Sequence, residues 1–437
     1  MSVEAFRRRR FVRASGAALT AGLAGCVGTN TLSSKTDTRS RDETVGPAGA
    51  ELTAPDGSGG SRFGRSVATT GGRILIGAPG YDDGRGAAYV FAWTGTEWRQ
   101  ADRLTAPEDE GTNAFGRSVA LSGDWALVGT PSTGRGGRGA GYAFRNAGDG
   151  WELESILTVG SGDAFGTPVE LDGGTALVGR GPAVVFESTD GVWSHRARLA
   201  PDSPDPSSYD APDVDANDSV EYSYTDFGRS LALGDGVALV GGSLVRQIVE
   251  YTRSPAGAVA TRDAKGIVHA FDRAGDSWRR GPESADVVSN ADFESGAYAA
   301  NDPVGIGSAV DVSGERVLVG TASGDHGGAF LFERVGQAWV RRTALGPPRA
   351  ASSVAIDGDA ALVGRARDTG GGETVASLFR RVDGAWERRE SPVGGVDAGD
   401  PGVSVDLGGG TAVVGVEPRG ETDPPSAGSA FVGRISS

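Results

Sequence analysis

One phrase is written seven times along this chain, and a protein built that way cannot fold as an ordinary single-core domain. "FGRSVATTGGRILIGAP" at Phe63 returns as "FGRSVALSGDWALVGTP" at Phe115, "FGTPVELDGGTALVGRG" at Phe165 and "FGRSLALGDGVALVGGS" at Phe227. Looser copies start at Ile306, Ala350 and Pro401, so successive starts lie 52, 50, 62, 79, 44 and 51 residues apart. A period near 50 belongs to solenoids, propellers and repeat arrays, where one unit cannot bury its apolar faces unaided.

Each period reads as four short strands. In residues 115–157, "GRSVAL" alternates in character, "SGD" turns, "WALVGTP" is a short apolar run, and "AGYAF" and "WELESIL" alternate again. Gly-rich and Asp-rich turns separate them, and no helical period is sustained. Trp98, Trp151, Trp193, Trp278, Trp339 and Trp386 recur where the fourth strand opens, and aromatics at one repeat position are expected to pack between neighbouring sheets. Seven four-stranded antiparallel sheets suit an all-β, seven-bladed β-propeller, in which stacking in a ring covers both faces of every sheet. The seventh copy ends after its third strand, whereas "ELTAPDG" at residues 51–57 resembles the end of a fourth strand, "RLTAPED" at 103–109. The last blade is therefore expected to take its outer strand from residues 48–54, with Leu52 pairing near Phe431.

The Phe-Gly opening, "LIGAPG" and "GAAYVF" together resemble the FG-GAP repeat, which builds the seven-bladed propeller of integrin α subunits and of many bacterial and archaeal surface proteins. The resemblance spans residues 51–437 and implies adhesion, ligand binding or scaffolding. The calcium loops of integrin blades are not carried over. Calcium needs six to eight oxygens, and turns such as "TTGGR", "LDGG" and "LGGG" supply too few carboxylates.

Residues 1–26 read as an address. A basic run containing Arg8, Arg9 and Phe11 resembles a twin-arginine export signal, and Leu23-Ala24-Gly25-Cys26 resembles a lipoprotein processing box. The apolar stretch between them is too short to span a bilayer, so a lipid on Cys26 is expected to anchor the protein at the extracellular face of the cell membrane. Cys26 is the single cysteine, which excludes disulfides. Residues 27–47 form a polar tether, and residues 48–437 the propeller. The net charge is −15 with only Lys35 and Lys265 as lysines. That balance fits a salt-adapted, haloarchaeal-type exported lipoprotein and argues against nucleic acid as a partner.

Three insertions break the period, at 201–226, 243–265 and 282–303. In a meander the blade-to-blade loops and the second-to-third loops share one face, so all three are expected to crowd around blade 4. Clustered insertions on one face suggest a binding surface, with Asp213, Asp215, Tyr222 and Tyr224 as candidate contacts. Asn217 begins a glycosylation sequon. Asp213, Asp215 and Asn217 alternate as in a calcium loop, but Asp218 stands where the turn glycine belongs and Tyr224 where the bidentate Glu belongs, so no metal is assigned. His195, His269 and His326 fall in separate repeats without metal-ligand spacing, and no nucleophile motif appears. No catalytic residue and no cofactor is expected. The expected partner is an extracellular protein or glycan met by a monomer, and the alternative is a hydrolase or lyase acting at the central channel.

Overall fold

The computed structural model describes residues 50–56, 59–108, 111, 113–131, 139–159, 165–201, 219–251, 258–281, 287, 305–321, 328–346, 350–365, 375–389, 391, 401–418 and 427–435. They form seven four-stranded antiparallel sheets, six of them in sequential strand order. Blade 1 is Ser66–Thr69, Arg73–Ala78, Ala87–Trp93 and Trp98–Leu104; blade 2 is Ser118–Ser122, Trp125–Thr130, Ala140–Asn146 and Trp151–Leu157. The first strand of each blade touches the first strand of the next, and that of blade 7 touches that of blade 1. This closed circuit makes the fold a propeller with the first strands around its axis.

The core is divided as the repeat demands. Seven apolar clusters exist among the described residues, one for each junction between neighbouring blades. At the junction of blades 1 and 2, for example, Leu75 and Val90 meet Val119, Val128 and Tyr142. The phrase's opening aromatic packs on its own third strand: Phe63 lies edge-on to Tyr89 at 5.5 Å, and Phe115 to Tyr142 at 5.3 Å. The tryptophans take the packing role. Trp98 and Trp339 are buried, and Trp151, Trp278 and Trp386 are partly buried against the junction clusters.

The glycine closing "LIG" or "LVG" has a steric cause. A Cβ on Gly77 would lie 1.9 Å from the Gly116 carbonyl oxygen of the next blade, and one on Gly415 would lie 2.2 Å from the Gly64 carbonyl. Blade spacing at the axis therefore tolerates no side chain there. Gly77→Ala is expected to cost at least the ~1–3 kcal/mol typical of overpacking, read as a lower urea midpoint at unchanged slope.

Farther out, ion pairs join the third strands. Glu187 pairs with Arg273 at 3.0 Å, and Asp272 with Arg334 through two bonds of 2.8 and 2.6 Å. An acid after the strand's Phe thus meets an arginine of the following blade.

The ring closes as the sequence predicts. Ala50–Thr53 pairs antiparallel with Ser429–Arg434, setting Glu51 opposite Phe431 and Leu52 opposite Ala430. Leu52 is fully buried in the junction of blades 7 and 1, beside Phe63, Val413 and Val432. Polar contacts reinforce it. The Phe63 amide donates to the Ala427 carbonyl at 2.8 Å, and Ser404 Oγ donates to the Gly64 carbonyl at 3.0 Å. Asp56, just past the closing strand, accepts from Tyr89 Oη and Arg103 at 2.9 Å each. Burial first, and then the hydrogen bond to Asp56, push the Tyr89 phenol far above its ordinary pKa.

Blade 4 departs from the expectation of loops. Its first three strands run Ser219–Gly234, Val237–Tyr251 and Ala258–Ala274, about twice the usual length. Much of the insertion at 243–265, and the end of the one at 201–226, is therefore strand. The register runs unbroken from Val237↔Asp272 to Tyr251↔Ala258. Val, Ile and Tyr recurring in 219–224 and 244–251 suit extended backbone, but neither sequence run carries the turn residues that would have divided it. The fourth strand, Ser277–Arg280, reaches only Phe271–Ala274, so the extension is a three-stranded ribbon continuing beyond the ring.

Candidate functional site

Two columns of the repeated phrase fall on the axis. The sixth position of the phrase lies on the first strand and reads Ala68, Ala120, Glu170, Ala232, Asp311, Ala355 and Asp406. Three carboxylates thus replace alanine in blades 3, 5 and 7. Asp406 Oδ2 accepts from the Thr69 amide of blade 1 at 2.6 Å, and Asp311 Oδ2 from the Ile356 amide of blade 6 at 2.6 Å. Each bond ties a blade to the next at its innermost strand. The charges of Asp311 and Asp406 also reach Glu170, although the three belong to non-adjacent blades; they face one another around the central channel.

All three are half-buried. Protein surrounds much of each carboxylate, and the loss of bulk hydration disfavours the charged form. Burial, ahead of the backbone bonds that oppose it, raises Asp311 to about 7. Burial and the charge of Asp311 raise Asp406 to about 8. Burial and both aspartates push Glu170 well above the ordinary carboxylate range.

The third position of the phrase lies at one mouth of the channel, just ahead of the first strand in blades 1 and 2 and within the extended first strand of blade 4. It carries Arg65, Arg117 and Arg229 in blades 1, 2 and 4. The second strand runs antiparallel to the first, so its end comes to the same mouth and brings Arg180 in blade 3 and Glu417 in blade 7. Arg65 donates to Glu417 Oε2 at 2.8 Å, and Arg62 pairs with Glu417 Oε1. Arg229 donates to the Ile306 carbonyl at 2.8 Å, and burial lowers its pKa against the pull of Asp226. The channel therefore has a basic mouth above an acidic waist.

Sequence reading missed both columns. The signal was present once the copies are aligned: a carboxylate in a column of alanines, and arginine at one place in three copies. Of the residues it did single out, Arg8, Arg9, Phe11, Cys26, Asp213, Asp215 and Asn217 lie outside the described residues. Tyr222 lies in the ribbon opposite Arg246. Tyr224 stands at the ribbon's base, half-buried, edge-on to His269 at 5.5 Å and Phe227 at 6.3 Å. His269 is fully buried in blade 4.

A further depression of about 240 Å³ lies at the opposite end, lined by Asp357, Asp359, Arg380 and Thr411. It is smaller than the ~300–1,000 Å³ of usual ligand pockets. Among the described residues no three His, Cys, Asp or Glu converge closely enough to hold a metal, and no helix is long and apolar enough to cross a membrane.

The family comparison agrees with the repeat seen here. The FG-GAP repeat family matches residues 49–91 and 98–144. Each match begins on a strand that is fourth in one blade and ends on the third strand of the next. The sequence repeat is thus offset from the blade by one strand, the offset that closes the ring. No curated protein matches the chain. Among solved structures, Sqt1 of Saccharomyces cerevisiae is similar at 10% identity, covering 90% of this chain and 100% of that one, with a TM-score of 0.46. A putative 6-phosphogluconolactonase from Bacteroides uniformis is similar at 11% identity, covering 74% and 83%, with a TM-score of 0.45. Neither likeness bears on what this chain binds. The chain is a seven-bladed β-propeller, and the stretches that the FG-GAP repeat family matches build most of its first two blades.

Proposed function

We propose that the protein is an exported, lipid-anchored module that binds or adheres to an extracellular protein or glycan. The observation that carries the reading is blade 4. Its three long strands break an otherwise regular ring at the place where the longest insertions fall, and a ribbon extending from a rigid scaffold offers unshared backbone groups and side chains to a partner. Cys26 supplies the anchor and residues 27–47 the reach.

The experiment uses the mature chain at high salt. Pulldown from cell-envelope extract is expected to capture a ligand with the intact chain and to lose it when residues 201–226 are removed. Capture that survives this deletion, with the ring intact by circular dichroism, would move the binding surface elsewhere. In cells, Cys26→Ser is expected to shift the protein from the membrane pellet to the soluble fraction.

A second reading, an extracellular hydrolase or lyase acting in the channel, has one observation in its favour. Asp311 and Asp406 are raised to about 7 and about 8, the range in which a carboxyl group transfers protons best near neutrality. Asp406→Asn separates the two readings: an enzyme working in the channel loses turnover with it, whereas capture by blade 4 is expected to be unchanged.

A further inference from the structure

Four arginines meet at the channel mouth around one carboxylate. Glu417 is buried and already engaged by both Arg62 and Arg65. Arg117, one blade on, is half-buried, and among the described residues its guanidinium has neither hydrogen bond nor ion pair. The same holds for the exposed Arg180 in blade 3, whose backbone is held in the left-handed region at φ 89°, a conformation unfavourable for a residue with a side chain. Burial, and then the charges of Arg65, Arg62 and Arg180, lower the pKa of Arg117, with only Glu417 acting the other way.

This clustering runs against the rest of the molecule. Acids outnumber Lys and Arg by 57 to 42, and Arg273 and Arg334 each meet an acid of the preceding blade. Arg62, Arg65, Arg117 and Arg180 leave three positive charges in excess around Glu417, and unrelieved like charge destabilises the ring that holds it. Function is a common reason for such a cost to persist.

We propose that Arg65, Arg117 and Arg180 form a binding site for an oxyanion group (carboxylate, phosphate or sulfate) on a ligand approaching along the channel axis. The planar guanidinium fork bonds two oxygens of such a group at once. Arg117 and Arg180 have their donors free for it, and Arg65 keeps part of its fork beside Glu417. Glu170, Asp311 and Asp406 sit three residues farther along the first strands, about 10 Å deeper. Held largely protonated at neutral pH, they line the shaft beneath the arginines with polar groups and leave the positive charge at the mouth. The site does not depend on blade 4 or on the lipid anchor, so it stands or fails separately from the proposed function.

The test is calorimetry and thermal unfolding of the mature chain at pH 7, with inorganic phosphate and citrate as probes against chloride at equal ionic strength. At least one probe is expected to bind one saturable site and raise Tm. The double variant Arg117→Gln/Arg180→Gln is expected to weaken that binding at least tenfold and to abolish the shift. Without probe its Tm equals or exceeds that of the parent chain, because repulsion is relieved. Arg73→Gln, at the hairpin end of blade 1, is expected to leave binding unchanged. Preference for phosphate assigns a phosphoryl-type ligand, and preference for citrate a carboxylate. No saturable binding of either probe overturns the proposal, as does parental affinity in the double variant. A double variant that melts lower while neither probe shifts the parent assigns these arginines to ring stability instead.

Discussion

Deleting residues 48–54 is expected to abolish cooperative folding of the whole ring, although it removes fewer than one residue in fifty. The deletion leaves blade 7 with three strands and exposes the outer edge of Ser429–Arg434, which in the intact protein pairs along its length with Ala50–Thr53. An uncovered edge strand is a template for aggregation. The same deletion takes Leu52 and Ala50 from the apolar junction of blades 7 and 1, and moves Asp56 away from Tyr89 and Arg103. Every other junction holds two blades whose strands are contiguous in sequence, whereas this one also holds the two ends of the ring together. The readouts are soluble yield and the near-UV circular dichroism melt. Leu52→Ala is the graded form, expected to cost ~2–5 kcal/mol as a buried leucine truncation. A circular permutant that carries residues 48–54 after Ser437 is expected to restore folding. A deletion mutant that melts like the parent would mean that the N-terminal strand is ornamental.

Raising the pH from about 5 to about 9 is expected to destabilise the ring, opposite to the acid sensitivity of most proteins. In the unfolded chain Asp311 and Asp406 lose their protons near pH 3.9. In the folded chain they hold them to about 7 and about 8, and Glu170 is shifted the same way. Between those limits the native state binds more protons than the unfolded state, so stability falls as pH rises. It is fully present below about pH 4 and is lost through the folded values. Each pKa unit corresponds to ~1.4 kcal/mol; the loss expected at the channel is a few kcal/mol once the groups' partial access to water is allowed for. Asp406→Asn keeps the carbonyl oxygen that accepts from Thr69 and removes the titration. Its denaturant midpoint is therefore expected to depend less on pH, the remaining dependence coming from Asp311 and Glu170. A parent chain equally stable at both ends of the range would remove the channel carboxylates as titrating groups.

The sequence carried the architecture because architecture here is repetition. Seven copies, four alternating runs per copy and turn glycines between them left a ring as the arrangement that covers every sheet, and the unmatched "ELTAPDG" pointed to the closing strand. The glycine of "LVG" was legible as a recurrence, but its cause is a carbonyl of the next blade, 39 positions away for Gly77 and Gly116 and 351 for Gly415 and Gly64. Blade 4 was misread for a local reason. Gly241, Gly242 and Ser243 are turn-type residues that signal the end of a strand, yet the backbone pairing runs on through them, joining 237–251 to 258–272.

What the chain determines by itself is set by short-range chemistry: strand and turn propensities, the aromatic and glycine columns, and the surplus of acid. What only the tertiary structure decides is which columns face the axis. Glu170, Asp311 and Asp406 are separated by 141 and 95 residues, and Arg117 lies 300 residues from Glu417. Closing the circle converts each repeat position into a level along the channel. Charges scattered through the sequence become an acidic waist and a basic mouth, because electrostatic coupling follows distance in space and removal from water, neither of which separation along the chain measures.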